Sequence, residues 1–499
     1  MTKSSLSAPP LRRRSLLQAA ALLAGAACGP GFGPGCAAAS AGTTRTLDVI
    51  VLGAGLAGLQ AARQLEAAGF SVRVLEGSAR IGGRVHTLDA LPGQPETGGT
   101  QIGAAYTRVL ASARELGLQL RPTPPSPLLR DDGLVFDIQG RRTTRSAWAA
   151  SPDNPLPPAV RALAPDRALG RLVGASPLAS NPLSSSPLAT ITAWREPAHA
   201  GLDVPALGEL RAQGLGDAAL QLLAVNNSYG DTLAETSWLN LVGVQRNVTE
   251  LMKTPGPIFT VAGGNQRLPE AMARALRGDV LLNRRAVALD SHATGVSVTC
   301  DDGSRHRARR AVCALPVPAM RGLRFTPGLP PRHAEAVQRL AYGRVTQLHL
   351  EVLRPFWEAD GLLPYLWSDG PLRRIFAQDP QGNGNAQTLT VWINGQGTTA
   401  WDDLNEADAA RRVADELARV YPSSRGAVRL ARRVAWHRNA LAGGSWANWA
   451  PGQISRYANV LATPSGRVHF AGEHTGLALR GLEAAMESGE RAAAEIRAL

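Results

Sequence analysis

One stretch, residues 47–87, constrains the fold of this 499-residue chain more than any other. It opens with the apolar run Val49–Leu52, which predicts a strand buried inside a parallel sheet. Three glycines, Gly53, Gly55 and Gly58, follow at once. Their spacing is typical of a tight turn that brings the backbone close to a pyrophosphate and lets a helix pack against the strand. The stretch therefore predicts a βαβ unit that binds a dinucleotide.

The elements after the glycines complete that unit. A helix is predicted over 56–68, with its free N–H groups and positive dipole end facing the phosphates. The next strand, over 71–75, ends at Glu76, whose carboxylate can accept hydrogen bonds from ribose hydroxyls. An acid at this position disfavours NADP but leaves FAD and NAD open. The predicted cofactor contacts of the unit are Gly53, Ala54, Gly55, Leu56, Ala57, Gly58, Glu76 and Gly77.

The run RIGGR over 80–84 places two glycines between two guanidinium groups just beyond this acid. With it the chain resembles the flavin-containing amine oxidase family, which includes monoamine oxidases, polyamine oxidases and L-amino-acid oxidases. The resemblance extends from about residue 47 to the C-terminus. It implies FAD as the cofactor, with the RxGGR run lying along the pyrophosphate. The contacts that it adds are Arg80, Gly82, Gly83 and Arg84.

The resemblance also implies the fold class, α/β (α+β overall). A discontinuous Rossmann-like FAD-binding domain is expected over residues 46–125, 255–325 and 435–499. An inserted substrate-binding domain of mixed sheet plus helices is expected over 126–254 and 326–434. The Pro- and Ser-rich segments between residues 121 and 190 predict irregular loops around short helices.

Three later segments match parts of the family that contact FAD. A Gly-rich segment passes beside the flavin ring, one strand residue binds adenine through its backbone, and the sequence FAGEHT lies beside the phosphates and ribityl chain. By this match the further cofactor residues are Gly99, Thr100, Gln101, Ile102, Val287, Gly472, Glu473 and Leu482.

The chain departs from the family where the substrate is expected to bind. Gln347 replaces a lysine that holds a water on the flavin's reactive nitrogen, although a neutral amide can still hydrogen-bond a water. Ser445 replaces the cysteine that monoamine oxidases bond to the flavin, so FAD is expected to be non-covalent. Trp446 is expected to form one wall of the aromatic cage around the amine. The second cage position is Gly481, which leaves the cage open on that side.

The implied activity is the FAD-dependent oxidation of an amine. Hydride leaves the carbon beside a neutral amine for the flavin, the imine hydrolyses, and dioxygen gives hydrogen peroxide. An L-amino-acid oxidase is one alternative, but the position after RxGGR that could supply a carboxylate-binding arginine reads Thr87–Asp89. A dehydrogenase that uses a periplasmic electron acceptor is a second alternative, favoured by Gln347. A flavin-binding accessory protein without catalysis is the third.

The N-terminus predicts export. Residues 1–41 contain no acidic residue, and they combine the pair Arg13–Arg14 with an apolar run over 16–27 and small residues at 39–41. This pattern resembles a twin-arginine signal. The twin-arginine machinery is therefore an expected partner, and a periplasmic or secreted location is expected. The apolar run is shorter than the roughly 20 residues that span a bilayer.

Charge and cysteine content bear on other classes of partner. The net charge of +13 is scattered without a basic block, so no nucleic-acid partner is expected. No metal-ligand spacing occurs in the sequence. Cys300 and Cys313 lie on predicted strands, which leaves both a disulfide and two buried thiols open. The sequence does not decide between a monomer and a homodimer.

Overall fold

The first large sheet is built around the apolar strand that opens the predicted dinucleotide unit. The structure is a computed structural model that describes residues 46–123, 133–175, 195–378, 385–477 and 479–499, so the expected export signal lies outside the described residues. Strand β1 (Leu47–Leu52) pairs in parallel with β2 (Val72–Leu75) and, on its other side, with a later strand of the chain. The side chains of Val49–Leu52 are fully buried, as in parallel sheets covered on both faces.

This sheet has eight strands and combines parallel with antiparallel pairs. Strands β10, β11 and β12 form an antiparallel meander, while β9 extends the parallel part beside β2. Strand β13 pairs in parallel with β10, and β21 pairs in parallel with the end of β12. These strands are β9 (Val280–Leu281), β10 (Ala286–His292), β11 (Gly295–Cys300), β12 (Arg305–Cys313), β13 (Arg324–Thr326) and β21 (Val468–Phe470).

A second sheet has seven strands in the order β19-β15-β18-β17-β16-β6-β7. All of its pairs are antiparallel except β16 with β6. Its strands are β6 (Val135–Ile138), β7 (Arg141–Thr143), β15 (Val345–Val352), β16 (Leu366–Ser368), β17 (Arg374–Gln378), β18 (Thr388–Asn394) and β19 (Val428–Ala435). Three two-stranded pairs are β3 (His86–Thr87) with β4 (Glu96–Gly98), β5 (Leu120–Pro122) with β8 (Phe259–Val261), and β14 (Ala341–Tyr342) with β20 (Ala447–Asn448).

Helices pack against both sheets. Their bounds are α1 (Leu56–Ala67), α2 (Thr107–Glu115), α3 (Arg145–Ala150), α4 (Pro165–Gly174), α5 (Ala206–Ala212), α6 (Asp217–Ala224), α7 (Trp238–Met252), α8 (Arg267–Arg274), α9 (Val317–Met320), α10 (Pro331–Arg339), α11 (Phe356–Ala359), α12 (Thr399–Asp402), α13 (Glu406–Val420), α14 (Gln453–Tyr457) and α15 (Gly481–Arg497). Short 3₁₀ segments cover Pro197–Leu202, Gly395–Thr398, Pro422–Ser424, Trp436–Arg438 and Glu473–Thr475. Residues 46–499 form one compact unit, so the division into an FAD domain and a substrate domain stays a prediction.

The first and last helices of this unit are in close contact. A Cβ on Gly489 of α15 would lie 2.4 Å from the carbonyl oxygen of Ala57 in α1, so glycine allows the helices to approach. The buried carboxylate of Glu483, also on α15, accepts the backbone N–H groups of Arg108 and Val109 at 3.0 and 3.1 Å. It thereby satisfies free donors in the first turn of α2. Packing and capping together fix the C-terminal helix against the dinucleotide unit.

The second sheet contains a buried charged pair. The side chain of Asp137 is 1% exposed and receives two hydrogen bonds from Arg419, at 2.8 and 2.6 Å, and a third from Ser368 at 2.6 Å. A carboxylate buried this deeply requires such partners. The arrangement connects β6 to α13 and to β16.

The structure also bears on the two cysteines, on membrane-spanning helices and on metal sites. Cys300 and Cys313 are both buried free thiols, and burial raises the pKa of Cys313 to about 12. None of the helices in the described ranges is long and apolar enough to cross a membrane. Within those ranges, no three His, Cys, Asp or Glu side chains come together as a metal site.

Candidate active site

A cavity of about 590 Å³ runs from the end of β1 to the face of the second sheet. It brings together most of the predicted site residues, although they come from distant parts of the chain. Those that line it are Gly53, Gly55, Leu56, Ala57, Glu76, Gly77, Arg80, Gly82, Gly83, Arg84, Gly99, Thr100, Gln101, Gln347, Trp446, Gly472, Glu473, Gly481 and Leu482. Ala54, Gly58, Ile102 and Val287 are not among the lining residues.

The glycine turn after β1 has the geometry that its sequence predicts. Gly53 has a φ of +99°, which favours glycine. A Cβ on Gly58 would lie 2.0 Å from the carbonyl oxygen of Gly53, so α1 can pack here only because that side chain is absent. A Cβ on Gly55 would meet no protein atom within 4 Å, although Gly55 lines the cavity. The turn therefore leaves room above Gly55 for a ligand.

Glu76 lies at the end of β2, as predicted, and its side chain is buried. Its Oε2 accepts the backbone N–H of Ala54 at 2.7 Å, and its Oε1 accepts the backbone N–H and hydroxyl of Ser78 at 2.9 and 2.8 Å. An ionised carboxylate has about four acceptor sites, so it can still accept a ribose hydroxyl. Ala54 therefore supports the site through Glu76 without lining the cavity.

The two guanidinium groups of the RIGGR run have different partners. Arg80 donates to the carbonyl oxygens of Ile81 and Val85, both at 3.1 Å, and to that of Gly83. Burial lowers the pKa of Arg80, and attraction to Glu76 opposes this. Arg80 thus fixes the shape of the glycine loop through hydrogen bonds to the backbone of that loop, and it also lines the cavity.

Arg84 connects the two halves of the cavity wall. Its Nη1 donates to the carbonyl oxygen of Ser445 at 3.0 Å and to Glu473 Oε1 at 3.1 Å. Burial alone would lower the pKa of Arg84, but attraction to Glu473 and Tyr342 outweighs it and the pKa is raised. Burial would likewise raise the pKa of Glu473, but Arg84 and His474 outweigh it and the pKa is lowered. Both groups are therefore charged, and they join the RIGGR loop to the FAGEHT segment.

Close backbone approach explains a further glycine on the wall. Gly99 has a φ of +63°, and a Cβ there would lie 2.9 Å from the Leu482 side chain. Leu482 is in the first turn of α15, so this helix begins at the cavity. Gly472 has a φ of +135°, and its N–H donates to the Ser488 hydroxyl at 2.9 Å. These positions agree with the expected passage of both segments along a flavin.

Two indole rings form a wall at the other end of the cavity. The rings of Trp446 and Trp392 are nearly parallel, with centroids 6.4 Å apart and an angle of 17°. The Nε1–H of Trp446 donates to the carbonyl oxygen of Ser228 at 2.9 Å, which fixes that ring. Sequence reasoning predicted Trp446 but missed Trp392. Trp392 enters the site because it pairs with Gln347 across β15 and β18.

The side at Gly481 is open, as predicted. Gly481 has a φ of +65°, and the nearest atom to a Cβ there is the Tyr106 hydroxyl oxygen at 4.0 Å. Tyr106 and Tyr229 both line the cavity, and neither was predicted from the sequence. Phenol groups therefore contribute to the part of the wall where this chain has Gly481 at the position of the family's second cage aromatic residue.

Gln347 is 1% exposed and has one unsatisfied group. Its Oε1 lies 3.1 Å from Nε2 of the buried His349, whose Nδ1 lies 3.1 Å from the Thr390 hydroxyl. Burial, with repulsion from His86 and Arg432, lowers the pKa of His349 to about 3, so this imidazole is neutral. The amide nitrogen of Gln347 is buried without a hydrogen-bond partner, and Gln347 is one of the residues that line the cavity. Gln347 thus presents an N–H donor, without charge, to whatever binds there.

Two predicted cofactor residues lie elsewhere. Ile102 is fully buried in the core, where its backbone forms a bridge with Phe259. Val287 is half-buried at a bulge in β10, and its neighbour Ala286 lines the cavity in its place.

An arginine on the cavity wall also escaped sequence reasoning. Arg480 immediately precedes Gly481 and lines the cavity. Its guanidinium lies over the Tyr229 ring, 5.5 Å from the centroid. An L-amino-acid oxidase was expected to carry a carboxylate-binding arginine near Thr87, but this arginine comes from the opposite end of the chain. Its position directly before a helix that begins at the cavity is the signal that could have found it.

The described residues fit FAD. The first N–H groups of α1 have no acceptor within the helix, and the open space above Gly55 lies beside them. The Ser445 hydroxyl and the Gln347 amide nitrogen are buried without hydrogen-bond partners, and both residues line the cavity. The cavity therefore offers a phosphate cradle at one end and unused polar groups at the other.

Comparison with known proteins agrees with this geometry. Residues 56–497 match the model of the family described as flavin containing amine oxidoreductase. AofH of Mycobacterium tuberculosis, named as a flavin-containing monoamine oxidase, is 30% identical over 469 residues, which cover 91% of this chain and 97% of AofH. An L-amino-acid oxidase of Echis ocellatus is 24% identical over 494 residues, which cover 91% of this chain and 86% of that protein.

Solved structures share the fold. Putrescine oxidase with bound putrescine has a TM-score of 0.73 at 24% identity and covers 91% of this chain and 99% of its own. Cyclohexylamine oxidase from Brevibacterium oxydans has the same score and identity, covering 90% of this chain and 98% of its own. The fold class predicted from the sequence is confirmed by these similarities.

Proposed function

The chain belongs to the flavin-containing amine oxidoreductase family, and on that premise we propose that it oxidises a small primary or secondary amine beside the tryptophan pair. The protein is an FAD-dependent oxidoreductase that acts on amines. The observation that carries the proposal is the single cavity, which joins the dinucleotide cradle to Trp392 and Trp446. When bound, FAD supplies the acceptor for the hydride that leaves the carbon beside the amine nitrogen.

The tryptophan pair and Gln347 orient the substrate in this proposal. Two nearly parallel indoles offer flat apolar faces, which suit a neutral amine and exclude water from its carbon. The unpartnered amide of Gln347 supplies one donor for a water or for the bound molecule. These residues thus bind and position the amine.

Proton removal from the substrate needs no side chain of the cavity. Among the described residues that line it there is no histidine, lysine or aspartate. Its carboxylates, Glu76 and Glu473, are both held in hydrogen bonds, the second to Arg84. The amine should therefore bind as the free base. The value of kcat/KM should rise with pH and level off once the pH passes the pKa of the substrate's own ammonium group.

We propose further that FAD is bound without a covalent link. Ser445 lines the cavity in the place of the family cysteine, and a hydroxyl cannot form the thioether. Denaturation followed by filtration should release all of the flavin into the filtrate. Ser445→Cys supplies a comparison that restores the thiol.

The acceptor that we propose for the electrons is dioxygen, which yields hydrogen peroxide. A second candidate, an amine dehydrogenase, is favoured by the neutral Gln347, since no lysine ammonium faces the cavity in the described residues. An oxidase and a dehydrogenase differ only in which molecule takes the electrons from the reduced flavin.

The test uses the purified holoenzyme and a panel of amines and amino acids. Flavin bleaching without oxygen is the expected result with at least one amine, followed by peroxide release when oxygen is admitted. Bleaching without peroxide would favour the dehydrogenase. A flavin that no compound reduces would contradict catalysis and favour the accessory protein.

Export by the twin-arginine route is a separate proposal, supported by the sequence of residues 1–41. Replacing Arg13 and Arg14 by lysine should retain the flavin-loaded protein inside the cell, whereas the unchanged chain should appear in the periplasmic or secreted fraction. The same distribution of the variant and the unchanged chain between the cell and the exported fraction would contradict export by this route.

A further inference from the structure

Arg480 is placed to interact with the substrate. Its Nη2 donates to the carbonyl oxygen of Ala447, the residue after Trp446, at 3.0 Å. Its Nη1 donates to Oδ1 of the buried Asn240 at 3.2 Å, and the guanidinium lies over the Tyr229 ring. These contacts fix the guanidinium at the tryptophan end of the cavity, which it lines.

The charge of Arg480 has no carboxylate partner. Both of its hydrogen bonds go to neutral oxygens, and no Asp or Glu of the described chain lies within ion-pair distance of it. A guanidinium has five N–H donors, of which these bonds use two. The Nε–H and one hydrogen on each terminal nitrogen remain available to a ligand.

The surroundings of Arg480 add to its positive potential. Burial, followed by repulsion from Arg480, lowers the pKa of the partly buried Arg195 to about 10. Glu473 is nearby, but Arg84 already forms an ion pair with it. The free N–H groups at the start of α15, directly after Arg480, also favour an anion.

Resting on the proposed amine oxidation, we propose that Arg480 binds a carboxylate of the substrate, so that the amines oxidised here are amino acids or other amino-carboxylates. A guanidinium matches a carboxylate with two parallel hydrogen bonds. A diamine would instead bring a second ammonium group towards an unpaired cation. The structure thus assigns to Arg480 both the attraction of one substrate class and the rejection of another.

The test compares substrates that share a chain and differ at its end. Butylamine, 4-aminobutanoate and 1,4-diaminobutane form one series, and 2-phenylethylamine with L-phenylalanine forms another. Anaerobic flavin reduction against concentration gives a dissociation constant for each. The holoenzyme should bind an amino-carboxylate about tenfold more tightly than the matched amine. Arg480→Met should abolish that difference, so that the ratio of the dissociation constants of the amino-carboxylate and its matched amine falls to about one.

A second readout does not depend on turnover. Benzoate carries a carboxylate but no amine, so its binding can be followed by the shift in the visible spectrum of the bound flavin. We expect saturable binding to the holoenzyme and a loss of about tenfold in affinity in Arg480→Met. Arg480→Lys keeps the charge without the paired hydrogen bonds, so it should bind benzoate with intermediate affinity and still reject the diamine.

The matched control is Arg321→Met. Arg321 also donates to two carbonyl oxygens, of Val337 at 3.0 Å and Leu340 at 2.8 Å, but it does not line the cavity. It should change none of the substrate ratios. A holoenzyme that prefers the diamine, or an Arg480→Met enzyme that loses affinity equally for all amines, would overturn the assignment. A flavin that neither amines nor amino acids reduce would instead overturn the proposed function, while benzoate binding would still test Arg480.

Discussion

Gly55 and Gly58 lie three residues apart in the same turn, but a methyl group at each has a different expected effect. A Cβ on Gly58 would lie 2.0 Å from the carbonyl oxygen of Gly53, whereas ordinary contact begins at 3.4 Å. Helix α1 would therefore have to move away from the strand. Overpacking of this kind costs about 1–3 kcal/mol, and the better helix propensity of alanine offsets up to about 1 kcal/mol. Gly58→Ala should destabilise the flavin-free protein by about 1–2 kcal/mol.

The same change at Gly55 should leave the flavin-free protein unaltered. Gly55 has φ −81° and ψ 176°, which alanine adopts without strain, and no protein atom lies within 4 Å of its Cβ. The loss of a favourable helix N-cap residue and the gain from a less flexible unfolded chain are each below about 1 kcal/mol and oppose one another. The methyl group, however, enters the space above Gly55. FAD affinity should fall at least about tenfold, or 1.4 kcal/mol.

Two measurements separate these effects. Urea denaturation of flavin-free protein gives the free energy of unfolding, and the quenching of FAD fluorescence gives the dissociation constant. Wild-type affinity for FAD in Gly55→Ala would refute the assignment of the open space to the cofactor. Wild-type stability in Gly58→Ala would refute the argument from the approach of α1 to the turn.

Three other predictions concern the reoxidation of the flavin, the buried ion pair of Asp137 and the pH dependence of stability. Gln347→Lys should speed reoxidation of reduced flavin by dioxygen, because it restores a cation; an unchanged stopped-flow trace would contradict this. Arg419→Met should lower the free energy of unfolding by about 3 kcal/mol in urea denaturation, since the buried Asp137 loses its paired donor. His349 and His474 have pKa values lowered by burial from 6.5 to about 3 and about 4, so the unfolded chain binds more protons below pH 6.5. Stability should therefore fall as pH falls from 6.5 to 4, by up to about 1.4 kcal/mol per pH unit for each imidazole, in a series of urea titrations.

The elements with strong periodicity could be predicted from the sequence. The helix expected over 56–68 occurs at Leu56–Ala67, and the strand expected over 71–75 occurs at Val72–Leu75. Local sequence signals, such as the glycine turn, were therefore enough to predict the strands and the helix that form the cofactor end of the cavity.

The substrate end required information that a single sequence does not contain. Trp392 meets Trp446 only because β18 pairs with β15 in one register, and a shift by one residue would turn it to the other face. Arg80 matches a family motif, but its actual partners are carbonyl oxygens of its own loop. Arg480 lines the cavity because it immediately precedes α15, which begins there. Such contacts join strands and helices hundreds of residues apart, and periodicity carries no signal for them.

The contact between α1 and α15 bears on how this protein is made. A ribosome releases α1 well before β21 and α15, yet Glu473 and Leu482, which follow β21, line the same cavity as the turn after β1. Nascent chains that end before these segments lack Glu473, the ion-pair partner of Arg84, and the carboxylate of Glu483 that caps α2. Flavin retention should thus depend on translation through the start of α15, which makes the bound cofactor a marker of chains that contain this helix.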